Sequence, residues 1–302
     1  MNQTNTLLLS AIEERLFPGC AAILFNGKDE EASVEGSLHF DTDVPVNQAT
    51  LYDVASLTKV ITFIGDLQLV AKKVLNLDES IAEWLPFKQK GSIQDMTLRH
   101  LLTCGVDFVL PPELEKQGIH LTDPSGHLRF FNEATLRAEP GTTFLYSNLP
   151  AFIGGMLLEK ILGKNLEIAL REQVLEPLKM DDTCFTVRPH RLARTAPTQI
   201  AGTTKWQTGI VQDPMSRKFL PRHVGIAGLF SSIRDMAKLV KFLGSGLTPS
   251  GSALIPMGLW RKMIEDQLVG RAGAHEPRKR DGVAVTDDGD RVGCRDVLVF
   301  HL

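Results

Sequence analysis

The sequence predicts a mixed α/β fold of the α+β type, in which a helical subdomain is inserted between the halves of a sheet. Two short β-like runs, residues 20–25 and 31–38, are placed to form a hairpin near the N-terminus. The stretch from about 56 to 74 is apolar nearly all round, which is typical of a helix buried in the middle of a fold. Shorter helices and polar, turn-rich connections follow this stretch, as expected of a subdomain.

The length and composition are those of a globular protein with one large domain, or a core with an inserted subdomain. The chain has 302 residues, of which 43% are hydrophobic and 23% are charged. The net charge of −3 gives no electrostatic footprint for nucleic acid or an anionic membrane, so we expect neither as a partner. No apolar stretch is long enough to span a bilayer, and the first residues lack the basic region of a signal peptide. We therefore expect a cytoplasmic protein.

The cysteines indicate no metal site and no disulfide framework. They lie far apart and include no pair with Cys-x-x-Cys spacing. We expect four reduced thiols, at Cys20, Cys104, Cys184 and Cys294.

The other elements follow from apolar spacing, caps and turns. Helices are predicted over residues 6–16, 78–85, 97–103, 151–161, 165–178 and 233–243, with Thr97 and Ser232 as N-caps. A Pro-Gly turn at 140–141 should lead into a short extended piece that ends at residue 148.

A serine and a lysine three residues apart begin the predicted central helix. Ser56 would lie in its first turn, where unpaired N–H groups and the helix dipole stabilise negative charge. Lys59, on the same face, could take the serine proton if its amine lies in a partly desolvated pocket. The alternative is a capping serine followed by a solvated lysine.

A second candidate pair follows the Pro-Gly turn. In an extended segment, Tyr146 and Asn148 point to the same side, which places a phenol able to relay a proton beside an amide able to grip a substrate. The alternative is a tyrosine packed against the core and an asparagine that caps the next helix. His223 is interpreted as structural or as a surface residue, because the sequence shows no carboxylate partner for it.

Taken together and in order, these motifs resemble the class C β-lactamase-like and penicillin-binding serine hydrolase family, which includes esterases and D-Ala-D-Ala carboxypeptidases. The resemblance rests on Ser-x-x-Lys at 56–59, Tyr-x-Asn at 146–148 and the glycine-containing run 225–232. Smaller matches at 98–103 and 175–180 support it, and it covers about residues 15–265.

The resemblance implies an antiparallel sheet flanked by helices, with a helical subdomain over about 75–205. It implies Ser56 as nucleophile, Lys59 as its base, Tyr146 as proton relay and Asn148 as the group that holds a substrate amide or ester. The Ser56 backbone N–H would supply half of an oxyanion hole. No metal or cofactor is implied, and the expected partner is a small-molecule ester, β-lactam or peptide substrate.

The sequence departs from the family after about residue 268. The Lys-Thr-Gly or His-Thr-Gly triplet of the family is missing there, and residues 269–302 are charged and glycine-rich without sustained periodicity. We therefore predict a hydrolase domain over 1–268 and an atypical tail over 269–302, disordered or produced by a frameshift. The C-terminal strands should be incomplete, and an unpaired sheet edge would favour a homodimer.

Two functions remain open at this stage. The first is a serine hydrolase that acts through an acyl-enzyme, as an esterase, β-lactamase or D-Ala peptidase. The second is a catalytically impaired remnant or binding module of the same fold, without the third motif.

Overall fold

The computed structural model describes most of the chain: residues 3–26, 29–85, 92–109, 135–200 and 203–265, with short strand pieces at 279–280, 283–284 and 298–300. Its helices are α1 (Gln3–Glu13), α2 (Leu57–Ala71), α3 (Leu98–Leu102), α4 (Leu149–Leu162), α5 (Leu166–Leu170), α6 (Pro214–Phe219), α7 (Ile233–Ser245) and α8 (Met257–Ile264). Its strands are β1 (Gly19–Asn26), β2 (Asp29–Gly36), β3 (Leu51–Asp53), β4 (Phe108–Val109), β5 (Thr135–Leu136), β6 (Thr198–Gln199), β7 (Trp206–Gln207), β8 (Phe230–Ser232), β9 (Lys279–Arg280), β10 (Val283–Ala284) and β11 (Leu298–Phe300). The mixed α+β class is confirmed.

The predicted N-terminal hairpin is present and supplies two strands of a three-stranded antiparallel sheet in the order β11-β1-β2, with β1 in the centre. Strands β1 and β2 pair in register from Gly19 opposite Gly36 to Asn26 opposite Asp29. Alternate residues of β1 enter two different cores: Ala21 faces the main core, whereas Cys20 packs with Leu8 of α1. Both faces of β1 are therefore covered.

The tail contributes one described strand to this sheet. Strand β11 pairs with β1, with Ala21 opposite Phe300 and Ile23 opposite Leu298. Apart from β9, β10 and β11, residues 266–302 lie outside the described part of the chain. The expectations of an atypical tail, incomplete C-terminal strands and a dimer therefore stay predictions.

Helix α2 runs through the main core, as its apolar composition predicted. Most of its residues are buried, including Ile61 and Ile64, and it packs against α4 and the turn 171–175. Strand β3 leads directly into α2 and pairs with β8, which leads into α7. Two helices thus begin from one short antiparallel ladder.

Three local predictions were right only in part. Residues 78–85 form only a 3-10 turn, Ile81–Glu83, which begins at Ser80, where the serine side chain accepts the Ala82 N–H. The helix predicted over 165–178 is divided into α5 and a π turn, Arg171–Leu175. Residues 144–147 have no regular secondary structure, and Asn148 already has a helical backbone (φ −78°, ψ −26°).

The predicted caps Thr97 and Ser232 are both confirmed, since each side chain accepts a backbone N–H of the helix that it begins. Within the described ranges, no helix has both the length and the apolar character needed to cross a membrane.

Candidate active site

The turn between β3 and α2 places Ser56 at the surface. Val54 donates its N–H to the Leu229 carbonyl at 3.0 Å, which extends the β3-β8 ladder by one bond. Ala55 then takes a left-handed conformation (φ 44°), which reverses the chain so that α2 can begin. Ser56 is exposed at the N-cap position of α2. The hydroxyl therefore lies at the positive end of the central helix.

Lys59 lies beneath this hydroxyl, one turn further along α2. Its Nζ is 2.8 Å from Ser56 Oγ and donates a second hydrogen bond to the Ile226 carbonyl at 3.1 Å. The Lys59 side chain is buried, with 6% exposure, and the Ser56 side chain makes no capping hydrogen bond. The structure thus contradicts the alternative of a capping serine followed by a solvated lysine.

The glycine-containing run predicted from the sequence packs along α2 and helps to hold Lys59. Thr62 of α2 donates to the Gly225 carbonyl at 3.0 Å, and Leu229 donates its N–H to Thr58 Oγ1 at 3.2 Å. A Cβ atom at Gly225 would lie 2.4 Å from the Ala151 carbonyl of α4, so only glycine fits between these helices. The run thereby fixes the Ile226 carbonyl that accepts from Lys59.

Tyr146 lies above the lysine rather than in the core. Its side chain is 44% exposed, and Lys59 Nζ is 5.2 Å from the centroid of its ring. The preceding segment is anchored to the turn after α3, because Leu145 donates its N–H to the Cys104 carbonyl at 3.0 Å. Ser56, Lys59 and Tyr146 are therefore brought together as the sequence predicted, and the core alternative for Tyr146 is contradicted.

Asn148 occupies the N-cap position of α4, but its side chain does not cap the helix. Its Nδ2 is 3.7 Å from Met215 Sδ, in α6. In the described part of the chain, Asn148 makes no hydrogen bond with Ser56 or Lys59, and its amide donates instead to the Met215 thioether of α6. The capping alternative is thus not supported either.

Sequence reasoning missed Asp53, three residues before the serine. Its Oδ1 accepts the Ala55 N–H at 2.9 Å, and its Oδ2 accepts the Gln212 N–H at 2.7 Å. Burial raises the pKa of the Asp53 carboxyl above its usual range, while these two N–H groups act in the opposite direction. The only signal in the sequence is an acidic residue just before Ser-x-x-Lys, at the end of a strand. The contact with Gln212 could not be predicted, because Gln212 lies 159 residues away along the chain.

His223 does not contact the serine or the lysine. Its ring stacks on Phe185 with centroids 4.6 Å apart, its Nε2 lies 3.2 Å from Thr186 Oγ1, and Glu167 Oε2 lies 3.8 Å away. Burial lowers the pKa of His223. The structural interpretation agrees with these contacts, although the sequence gave no sign of the Glu167 carboxylate.

Comparison with known proteins gives a family match and several relatives of modest identity. The family model described as Beta-lactamase matches residues 8–301, and thus extends into the tail. A "Beta-lactamase" of Escherichia coli (strain K12) is 28% identical over 182 residues, which is 59% of this chain and 46% of the relative. "Esterase EstB" of Burkholderia gladioli is 32% identical over 204 residues, 61% of this chain and 51% of the relative.

A third relative is a "Putative D-alanyl-D-alanine carboxypeptidase" of Escherichia coli (strain K12), 25% identical over 240 residues, or 70% of this chain and 55% of the relative. The chain therefore spans about half the length of the curated relatives that it matches. Because the family model covers nearly the whole chain, and because the serine, lysine and tyrosine that carried the resemblance meet at one site, the chain belongs to the Beta-lactamase family.

Proposed function

We propose that this chain is a serine hydrolase that cleaves a carboxylic ester or amide, including β-lactams, through an acyl-enzyme on Ser56. The observation that carries the proposal is the 2.8 Å contact between the buried Lys59 amine and the exposed Ser56 hydroxyl. A nucleophile needs an adjacent base within hydrogen-bond reach, and this pair meets that requirement.

Acylation begins when Lys59, in its amine form, accepts the Ser56 hydroxyl proton. Ser56 Oγ bonds to the substrate carbonyl carbon as the electrons of the C=O double bond move to its oxygen. Among the described residues, Lys59 Nζ contacts the Ser56 hydroxyl, the Ile226 carbonyl and the face of the Tyr146 ring, none of which is a carboxylate. Its second hydrogen bond, to the Ile226 carbonyl, keeps Nζ in place during the transfer.

The Ser56 backbone supports negative charge on the substrate oxygen. Within the described residues, the Ser56 N–H donates to no acceptor, and it lies at the N-terminus of a 15-residue helix. Such a donor stabilises the oxyanion of a tetrahedral intermediate, and losing one typically lowers the rate by about 10²–10³.

Tyr146 is proposed to deliver a proton to the leaving group when the tetrahedral intermediate collapses, and to draw a proton from water in deacylation. Water adds to the acyl carbon, Ser56 Oγ leaves and regains its proton, and a carboxylic acid is released. The position of Tyr146 above Lys59 supports this role, since the centroid of the Tyr146 ring lies 5.2 Å from Lys59 Nζ. Asn148 is proposed to bind the substrate carbonyl or N–H next to the ester or amide.

The substrate class follows from the chemistry and from the names of the relatives. The relatives are called a β-lactamase, an esterase and a putative D-alanyl-D-alanine carboxypeptidase, whose reactions all begin with attack on a carbonyl carbon. We propose short esters as the first substrates to test, because an activated ester needs little help with its leaving group.

A catalytically impaired member of the family is the second candidate. It is favoured by one observation: residues 266–302 contain no Lys-Thr-Gly or His-Thr-Gly triplet. The same experiment separates the two candidates.

The experiment is covalent labelling with a fluorescent fluorophosphonate and a fluorescent penicillin. The proposal expects labelling of the wild type that disappears in Ser56→Ala and persists in Ser10→Ala, whose hydroxyl is exposed on α1 and serves as the matched control. Peptide mapping should find the adduct on Ser56. Folded wild-type protein, shown by circular dichroism, that neither probe labels would support the impaired remnant instead.

A further inference from the structure

Asp53 joins two segments that are far apart in the sequence. One carboxylate oxygen accepts the N–H of Ala55, in the turn before Ser56, and the other accepts the N–H of Gln212. Both distances, 2.9 and 2.7 Å, are those of good hydrogen bonds to an ionised acceptor. Asp53 itself is fixed as the last residue of β3, opposite Phe230 of β8.

The first of these hydrogen bonds involves Ala55, whose backbone conformation is energetically unfavourable for alanine. Ala55 has a φ of 44°, in the left-handed region that favours glycine. The Asp53 bond holds this turn, and the turn sets where Ser56 Oγ lies relative to Lys59. A change of about 1 Å in such a position is enough to lower a rate by about 10²-fold.

The second bond reaches the segment that carries α6. Arg217 donates from Nη2 to the Val211 carbonyl at 2.9 Å and to the Gln212 carbonyl at 3.1 Å, so this segment is held from both sides. Met215, in the same helix, contacts the Asn148 amide. Through Gln212, Asp53 therefore connects the serine turn to the wall beside Asn148.

We infer that Asp53 is a positioning residue, which acts through Ser56 and not on the substrate, by fixing the serine turn relative to the α6 segment. The predicted effect on rate rests on the proposed function, but the connection that Asp53 makes between the serine turn and the Gln212 segment follows from the two hydrogen bonds alone. Neither the sequence motif nor the comparisons assign this role to Asp53. Two charged groups act on its carboxyl: Asp213, of like sign, raises its pKa, and Arg217, of opposite sign, lowers it.

The first measurement compares Asp53→Ala with Asp182→Asn. Asp182 is a partly buried carboxylate that accepts from Arg194 at 2.6 Å outside the site, so it reports the effect of losing a structural carboxylate. With p-nitrophenyl acetate well below the melting temperature, Asp53→Ala should lower kcat by about 10–10²-fold, whereas Asp182→Asn should change kcat by less than about twofold.

The second measurement asks whether the effect passes through the turn. Glycine adopts positive φ without a penalty, so Asp53→Ala combined with Ala55→Gly should recover several-fold of the lost kcat. A residue that merely stabilised the fold would give a double variant no more active than Asp53→Ala. That result, or an Asp53→Ala variant with wild-type kcat, would overturn the inference.

Hydrogen–deuterium exchange supplies a readout that does not depend on activity. Asp53→Ala should speed amide exchange in both 54–57 and 211–213, and Asp182→Asn should leave both segments as in the wild type. Unchanged exchange in both segments of Asp53→Ala would overturn the inference even if the enzyme were active. Faster exchange together with an inactive wild type would refute the proposed function and keep the structural tie.

Discussion

The carboxyl group of Asp66 in α2 lies directly against the backbone of Gly154 in α4. A Cβ atom at position 154 would come within 2.4 Å of Asp66 Oδ2. Asp66 is fully buried, and among the described residues neither of its carboxyl oxygens has a hydrogen-bond partner. The two central helices therefore approach each other around an uncompensated acid, which burial keeps protonated by raising its pKa well above the usual value.

This arrangement predicts a stability that falls as the pH rises. Above the ordinary carboxyl pKa, the folded state keeps the Asp66 proton and the unfolded state releases it. The free energy of unfolding therefore decreases as the pH rises from the ordinary carboxyl pKa of the unfolded state to the raised pKa of Asp66 in the folded state. The slope for one proton is about 1.4 kcal/mol per pH unit. Asp66→Asn removes this dependence and should gain in melting temperature relative to the wild type from pH 4.5 to pH 8.

Asp78→Asn is the control for this measurement. A hydrogen bond from Arg99 lowers the pKa of Asp78. The contribution of ionised Asp78 to the free energy of unfolding is therefore present above the ordinary carboxyl pKa and is lost only as the pH falls. The difference in melting temperature between Asp78→Asn and the wild type should stay constant above about pH 5. A constant difference for Asp66→Asn over the same range would contradict the prediction.

Gly154→Ala should destabilise the protein by about 1–3 kcal/mol, because the added methyl group overlaps Asp66 Oδ2 in a packed interior. The control is Gly244→Ala, in α7, where a Cβ atom meets nothing within 4 Å. That change should stabilise by up to about 1 kcal/mol through helix propensity alone. Urea denaturation measures both, and Gly154→Ala should be less harmful in an Asp66→Ala background, since the two positions are in contact.

The local part of the site could be predicted from the sequence, and the long-range part could not. Ser56 and Lys59 are three residues apart on one helix, so their contact follows from helix geometry once α2 is recognised. The Ile226 carbonyl that accepts from Lys59 is 167 residues away and is a backbone atom, which no residue type marks. The Asp53 bond to Gln212 likewise depends on how two distant segments pack.

The fold shows the same division. The alternating run of β2 and the long apolar run of α2 are local signals, and the hairpin β1-β2 and helix α2 appear close to where they were predicted. The segment predicted as one helix over 165–178 becomes a π turn after Leu170, where Val174 and Leu175 have to be buried against α2. The burial of Asp66 could not be predicted either, because the sequence does not show whether one acid in an apolar helix faces solvent or a glycine of the neighbouring helix.

The buried cysteines should resist alkylation in the folded protein. Burial raises the pKa of Cys20 to about 11 and also raises the pKa of Cys184, so little thiolate forms at pH 8. With iodoacetamide at that pH, mass spectrometry should find Cys20 and Cys184 unmodified until the protein is denatured. Of the three cysteines in the described residues, Cys104, which is only partly buried, should be modified first. Rapid modification of Cys20 in native protein would show that β1 is more open than described.

Lys59→Met should abolish the activation of Ser56 while leaving the fold intact. The substitution removes the amine that lies 2.8 Å from Ser56 Oγ and keeps an unbranched apolar side chain in a buried position. The rate of fluorophosphonate labelling should fall by about 10²–10⁴-fold. Lys72→Met, at the other end of α2, is the matched control and should label at the wild-type rate. Comparable labelling of both variants would remove Lys59 from the mechanism.

Tyr146→Phe should discriminate between substrates by their leaving groups. If the phenol delivers a proton to the departing oxygen, an ethyl ester needs that proton, whereas p-nitrophenoxide departs without one. We expect kcat/KM to fall by about 10²–10⁴-fold for an ethyl ester and by less than about tenfold for the p-nitrophenyl ester of the same acid. Tyr52→Phe is the matched control, because the only other tyrosine of the chain is buried in β3. Equal losses for both esters in Tyr146→Phe would mean that Tyr146 acts before the leaving group departs, on acylation itself or on the position of Lys59.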